Sequence, residues 1–168
     1  MRIKVSFILL TVLSILCHTD AVFSQKTDFT GNWEIREKTS VSGVLYENGV
    51  PKQIKTTQNP EIIIIEKINT NQSGLDYTTA DTVSLNGKVS ESITPQKRKK
   101  SIMIKWSDET KVLTQTSNFS YPDNENNVAY TITDIWKLSE SGESLMLLRT
   151  MTSPKSDGWS IKAVYNKR

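Results

Sequence analysis

The sequence predicts an all-β chain, an antiparallel up-and-down meander of about eight to ten strands closing into a barrel. Three observations predict it. Segments rich in β-branched and aromatic residues recur along the chain, which is the composition of strands. Short turn signals separate them, and short links make consecutive strands antiparallel neighbours. No segment joins a 3.6-residue apolar period to a pair of caps, so no helix is expected.

The chain opens MRIKVSFILLTVLSILCHTDAVFSQ. Arg2 and Lys4 precede an apolar run from Val5 to Cys17, and small or polar residues follow. That is the order of a signal peptide, and the run is short for a membrane span. Cleavage after Ser24 is expected, leaving residues 25–168 as one secreted or periplasmic domain. The single cysteine, Cys17, and the single histidine, His18, both fall in the leader. The domain that remains has no disulfide to staple it and no thiolate or imidazole for a metal. It also lacks the residues for a His- or Cys-dependent triad. No metal, cofactor or enzymatic activity is therefore expected. A hydrolase would have to rely on carboxylates alone, and the sequence places no two at a working separation. The formal net charge is only +3, and no basic patch is interleaved with aromatics as a nucleic-acid surface would need, so no nucleic acid is expected as partner.

The elements follow in order. The first strand carries Gly31-Asn32-Trp33. In the segment 42–60, Asn48-Gly49 is a strong hairpin cue, while Pro51 and Pro60 favour an irregular course; a barrel hairpin and a lid over the mouth both fit. EIIIIEKI (61–68) is the next strand, with turns at Ser73-Gly74 and Asn86-Gly87. Lys97, Arg98, Lys99 and Lys100 follow Pro95 as a charge run. A solvated loop is the simpler reading, and contact with an envelope or lipid surface is the functional one. In 100–107, Ile102, Ile104 and Trp106 share a face opposite Lys105. The strand 111–121 leads to YPDNENN, a turn without the spacing of a calcium loop. In 128–138, Val128, Tyr130, Ile132, Trp136 and Leu138 share the covered face, and Ala129, Thr131, Thr133 and Lys137 fall mostly on the other. The strands 144–151 and 158–167 complete the set, with Trp159, Ile161 and Tyr165 on one side. This alternation is that of a sheet with one wet face.

Asp134 breaks the pattern, because it shares its face with Ile132 and Trp136, where an unpaired carboxylate is costly. A four-residue loop at 140–143 sets Asp134 opposite Arg149 and Trp136 opposite Leu147, so the two charges can pair. A loop one residue shorter would break that register. Arg149 then either offers charge to an anionic ligand head-group, oriented by Asp134, or closes a satisfied internal pair.

Gly31-Asn32-Trp33 on the first strand, an arginine at 149 on the penultimate strand and a preceding leader together resemble the lipocalin-like superfamily. The segment Thr133-Asp134-Ile135-Trp136 is similar to that family's Thr-Asp-x-Tyr stretch, with Trp136 as the aromatic. The FTGNW opening, the WKLSESG hairpin (136–142) and the terminal AVYNKR resemble small exported bacterial proteins. The resemblance implies a lipocalin-like barrel in which Gly31 permits a tight approach and Trp33 plugs the floor. It further implies that Arg149 caps Trp33 through a cation–π contact, with ligands entering at the opposite end.

The expected function is non-enzymatic binding of a small apolar or amphipathic ligand, inside a barrel lined by Ile104, Trp106, Tyr130, Ile132, Leu147 and Ile161. Trp106, Tyr130, Trp136 and Arg149 are the candidate ligand residues, and Gly31, Trp33 and Asp134 the candidate structural ones. The alternative is a filled-core interaction module that meets another envelope protein or a polysaccharide through its outer surface.

Overall fold

The computed structural model describes residues 26–44, 46–107, 109 and 111–168; the expected leader at 1–24 lies outside them. Among the described residues ten strands follow one another: β1 (Gly31–Ser42), β2 (Gln53–Gln58), β3 (Ile62–Thr70), β4 (Asp76–Ser84), β5 (Ser90–Ile93), β6 (Lys99–Trp106), β7 (Val112–Tyr121), β8 (Asn124–Leu138), β9 (Ser144–Ser153) and β10 (Ser156–Lys167). They form one antiparallel sheet in the order β4-β3-β2-β1-β10-β9-β8-β7-β6-β5. Every strand lies beside its sequence neighbour except across β4 and β5, and the first strand pairs with the last. The result is the all-β up-and-down meander expected, wound into a nearly closed barrel.

The seam between β4 and β5–β6 is closed by side chains instead of a backbone ladder. Lys100 on β6 donates to both oxygens of Asp81 on β4, at 2.7 and 2.6 Å, and the Ser84 N–H donates to Ser90 Oγ at 3.2 Å.

The core fills the concave side. Trp33, Ile54, Ile65, Ile104, Leu113, Trp136, Leu147, Ile161 and Tyr165 are all at most 1% exposed, so eight of the strands contribute to one apolar interior, as alternation along half-wet strands requires. Residues 26–30 tuck across one end as a floor. Phe29 meets Trp106 at 6.0 Å and the edge of Trp136 at 6.1 Å, and the Trp33 indole donates to Phe29 O and to Thr56 Oγ1. Gln58 accepts from the Phe29 N–H and donates to Thr27 O, which fixes the lead segment in place. A Cβ at Gly31 would stand 3.0 Å from the Trp33 ring, so a missing side chain there lets the indole fold back over its own strand.

One expectation about the floor is corrected. The cation over Trp33 is Lys167, 5.6 Å from the ring centroid, and Arg149 is elsewhere. Register gives the reason: Arg149 lies opposite Ile161, which lies opposite Ser40, at the far end of β1 from Trp33. Trp33 itself faces Lys167 across the β1–β10 ladder. On β8, Val128 is exposed and Ala129 buried, the reverse of the simple alternation. Register shifts between Phe119 and Tyr121 on β7 change the phase at this end of the hairpin.

Opposite the floor, residues 46–52 decide between hairpin and lid. β1 and β2 pair only from Gly31↔Thr56 to Glu34↔Gln53, so Asn48-Gly49 does not turn a tight hairpin. The segment crosses the upper end as a strap. Tyr46 packs on Trp159 with centroids 5.6 Å apart, Lys38 reaches Glu47, and Tyr165 donates to Pro51 O at 2.9 Å. A Cβ at Gly49 would lie 2.5 Å from Ile161 Cδ1, 3.1 Å from Tyr46 O and 3.3 Å from the Trp159 ring. Gly49→Ala is expected to cost about 1–3 kcal/mol as the buried Ile161 and the strap around it are displaced, read as a drop in the urea midpoint at unchanged m-value.

Candidate functional site

A cavity of about 480 Å³ opens at the end opposite the floor, on the side the strap leaves uncovered. Its walls come from β3 (Lys67, Asn69), β4 (Tyr77, Thr79, Asp81), the β5–β6 turn (Thr94 to Gln96), β6 (Lys100), β7 (Ser117, Phe119), β8 (Tyr130, Ile132, Asp134) and β9 (Arg149). The inner wall is charged. The outer wall is aromatic: Phe119 and Tyr130 are cross-strand partners on β7 and β8, stacked with centroids 4.5 Å apart at 14°.

The four-residue loop between β8 and β9 sets the charged row. The Ser139 N–H donates to Ser144 O at 2.9 Å, and that register places Trp136 opposite Leu147 and Asp134 opposite Arg149, as the sequence predicts. Arg149 Nε donates to Asp134 Oδ1 at 2.7 Å and Nη2 donates to Oδ2 at 2.8 Å, a fork-to-fork pair. Its Nη1 donates to Gly49 O at 3.1 Å, tying the strap to the interior. Burial by itself would raise the Asp134 pKa, but Arg149, with Lys67 in support, takes the carboxyl below its usual value. Burial likewise opposes charge on Arg149, and Asp134 more than offsets it. Both stay ionised through the neutral range.

Lys67 completes this wall. Its side chain is 8% exposed and its Nζ stands 3.5 Å from Asp134 Oδ2, an oxygen already taken by Arg149. Burial pushes its pKa down to about 8, with Asp134 and Asp81 pulling upward and Arg149 and Lys100 pushing further down. Lys100 belongs to the seam: it is held by Asp81 and lies 5.5 Å from the Phe119 ring centroid.

The candidate ligand residues separate into two groups. Tyr130 and Arg149 line the cavity. Trp106 and Trp136 pack below it on Phe29; Trp136 is fully buried. Of the expected interior residues, Ile132 lines the cavity too, while Ile104, Leu147 and Ile161 are core. Gly31 and Trp33 are at the floor, and Asp134 is on the cavity's inner wall.

The run Lys97–Lys100 is not one solvated patch. Lys97 takes a positive φ of 59° in the turn, Arg98 donates to Ser120 O at 3.2 Å, Lys99 pairs with Glu91 at 3.0 Å, and Lys100 turns inward. The YPDNENN stretch closes as a tight turn, Tyr121 pairing with Asn124.

Lys67, Asp81 and Lys100 are the residues of this site that sequence reasoning missed as a set. A signal existed for Lys67, which has the parity of Ile63 and Ile65, both fully buried. Four consecutive isoleucines hide it, since either face of β3 reads as apolar.

No protein-family model matches the chain, and no curated protein does. Among solved structures it is similar to a zebrafish ileal bile acid-binding protein complexed with cholic acid, at 15% sequence identity and a TM-score of 0.49, over 83% of this chain and 98% of that one. At that identity and score the likeness says nothing about a ligand for this chain.

Proposed function

We propose that residues 25–168 act outside the cytoplasm, after removal of the leader, as a non-enzymatic binding protein for a small amphipathic molecule. One observation carries the reading. The barrel is not filled by its own side chains but keeps a cavity of about 480 Å³, charged within and aromatic toward the mouth. That volume is in the range of small-molecule sites, and a few converging polar groups over apolar walls is their ordinary chemistry. The polar end of the guest faces Lys67, Asp134 and Arg149, and its body lies on Phe119, Tyr130 and Ile132.

The test is native mass spectrometry of the protein purified gently from its own envelope or medium, followed by calorimetric titration of the stripped protein with amphiphiles. A one-to-one adduct lost on denaturation supports the reading. Phe119→Ala removes the stacked platform and is expected to weaken binding about tenfold, the loss of roughly 1.4 kcal/mol of aromatic contact. A clean apo mass with no heat of binding sinks it.

A second reading has an observation of its own. Val41, Val44, Tyr46, Leu75, Tyr77 and Ile93 are all exposed, and all lie at the mouth end. An apolar rim of this kind suits contact with a partner or a lipid surface, with Lys97 and its neighbours in the β5–β6 turn adding charge. Leu75→Ser with Val44→Ser separates the two: it leaves titrated ligand affinity unchanged but abolishes retention on envelope vesicles if the rim is a contact surface.

A further inference from the structure

We propose that the guest is a monoanion whose acid group seats against the Lys67 ammonium on the inner wall of the cavity. This rests on the cavity being a small-molecule site, and it names the chemical class that the site takes.

Among the described residues, five charged side chains line the cavity: Lys67, Lys100 and Arg149 against Asp81 and Asp134. Two closed pairs account for four of them. Arg149 takes both oxygens of Asp134 at 2.7 and 2.8 Å, and Lys100 takes both oxygens of Asp81 at 2.7 and 2.6 Å. Lys67 is the remainder. It stands 3.5 Å from an oxygen that already accepts from Arg149, beyond the usual range of an N–H···O bond.

A cation in that position is only partly compensated, because burial removes its water, the nearest carboxylate is shared, and its other favourable contact is the face of the Trp136 ring 5.9 Å away, which carries no net charge. One negative charge brought from solution neutralises the wall. A neutral guest leaves Lys67 as it is, a cationic guest adds to the surplus, and a dianion meets the unshielded repulsion of Asp81 and Asp134. Arg149 is not the anchor, because its charge is already matched by both oxygens of Asp134 and each of its three nitrogens already donates, to Asp134 or to the strap. Lys100 is not the anchor either, since pulling it from Asp81 opens the seam.

The groups that face Lys67 are Asp134 from β8, Arg149 from β9, Asp81 from β4 and Lys100 from β6. Tyr77 and Tyr130 stand further out on the same walls. Along the sheet Lys67 is flanked by Ile54 of β2 and Thr79 of β4, neither of them titratable. With its pKa near 8, Lys67 is charged at neutral pH and loses its proton on moderate alkalinisation. A bound anion holds that proton on. Binding near pH 8 therefore takes up about half a proton, and affinity falls by up to about tenfold per pH unit above 8.

The experiment compares matched acids and alcohols, decanoate with 1-decanol and 2-naphthoate with 2-naphthylmethanol, titrated calorimetrically at pH 7 and pH 9.5. Titration at pH 8 in two buffers of different ionisation enthalpy reads the proton uptake. The acid is expected to bind at least tenfold more tightly than its alcohol at pH 7 and to lose that preference at pH 9.5. Lys67→Met is expected to abolish the preference at both pH values by lowering the acid's affinity to that of the alcohol. Lys99→Met, which removes a cation paired with Glu91 outside the cavity lining, is expected to retain it. Equal binding of acid and alcohol, or a preference that survives Lys67→Met, overturns the monoanion assignment and leaves the cavity reading standing. Binding of neither member of either pair overturns the cavity reading itself.

Discussion

Arg149→Ala is expected to destabilise the protein by about 3–5 kcal/mol at neutral pH, the cost of leaving one member of a buried ion pair without its partner. Arg149 is 7% exposed and Asp134 1%. Truncation strands the Asp134 carboxylate with only Lys67, 3.5 Å away. It also leaves Gly49 O without its donor and so frees the strap over the mouth. The pH signature follows from the sign of the shift. The folded-state pKa of Asp134 lies below its unfolded value, so its contribution is present above the ordinary carboxylate range and is lost as pH falls through the folded value. The variant gives that contribution up and unfolds in acid at a higher pH than wild type. Replacing both partners, Asp134→Leu with Arg149→Met, is expected to cost far less than Arg149→Ala, because no charge is then stranded. Urea unfolding of the three proteins at pH 7 measures it. A loss under about 1 kcal/mol for Arg149→Ala would mean that the pair is open to water.

Lys67→Met is expected to act in the opposite direction and stabilise the protein by roughly 2 kcal/mol at pH 7. Its pKa is depressed from 10.5 to about 8 by burial. Between those two values the unfolded chain holds a proton that the folded chain has lost, so wild-type stability rises with pH across that window. The rise is cut short from above. Burial raises the pKa of Tyr165, so an unfolded tyrosine ionises near pH 10 while the folded one stays neutral. Stability is thus lost as pH climbs beyond 10. Wild type is expected to rise from pH 8 to a maximum near pH 10. Lys67→Met is expected to be flat from 8 to 10 and to keep the alkaline decline. Chemical denaturation at intervals of half a pH unit reads both limbs; a flat wild-type profile would show that Lys67 is solvated.

These two variants sit on one wall, yet the sequence revealed them unequally. Asp134 and Arg149 are legible because they belong to one hairpin: β8 and β9 join through a four-residue loop, so counting back from the turn sets their register. The anomaly of an acid between Ile132 and Trp136 then points to them. Lys67 is four strands away from Arg149 in the sheet order and lies on a strand whose isoleucines conceal its phase. Lys100 reads as the end of a basic loop run, because nothing local says that β6 begins at Lys99 and turns its second residue inward. Trp106 and Trp136 carry the right parity to face inward, but depth along the barrel, set by Phe29 in the lead segment, puts them under the cavity and not beside it. The strands β2, β4 and β5 are rich in Thr, Ser, Asp and Lys, so their content resembles loops; they become strands through the neighbours they pair with.

The features legible along this chain are local in origin. Alternation and turn chemistry make antiparallel strands between sequence neighbours, and one short loop fixes the Asp134–Arg149 register. Where the two ends of the meander meet is settled only in the folded barrel. β1 pairs with β10, and β4 comes against β6 through Asp81 and Lys100. That closure brings Lys67 to Asp134 and leaves the cavity open. Its contacts join residues far apart in the chain, whose pairing depends on the twist and shear of the whole sheet, which no short stretch of sequence encodes.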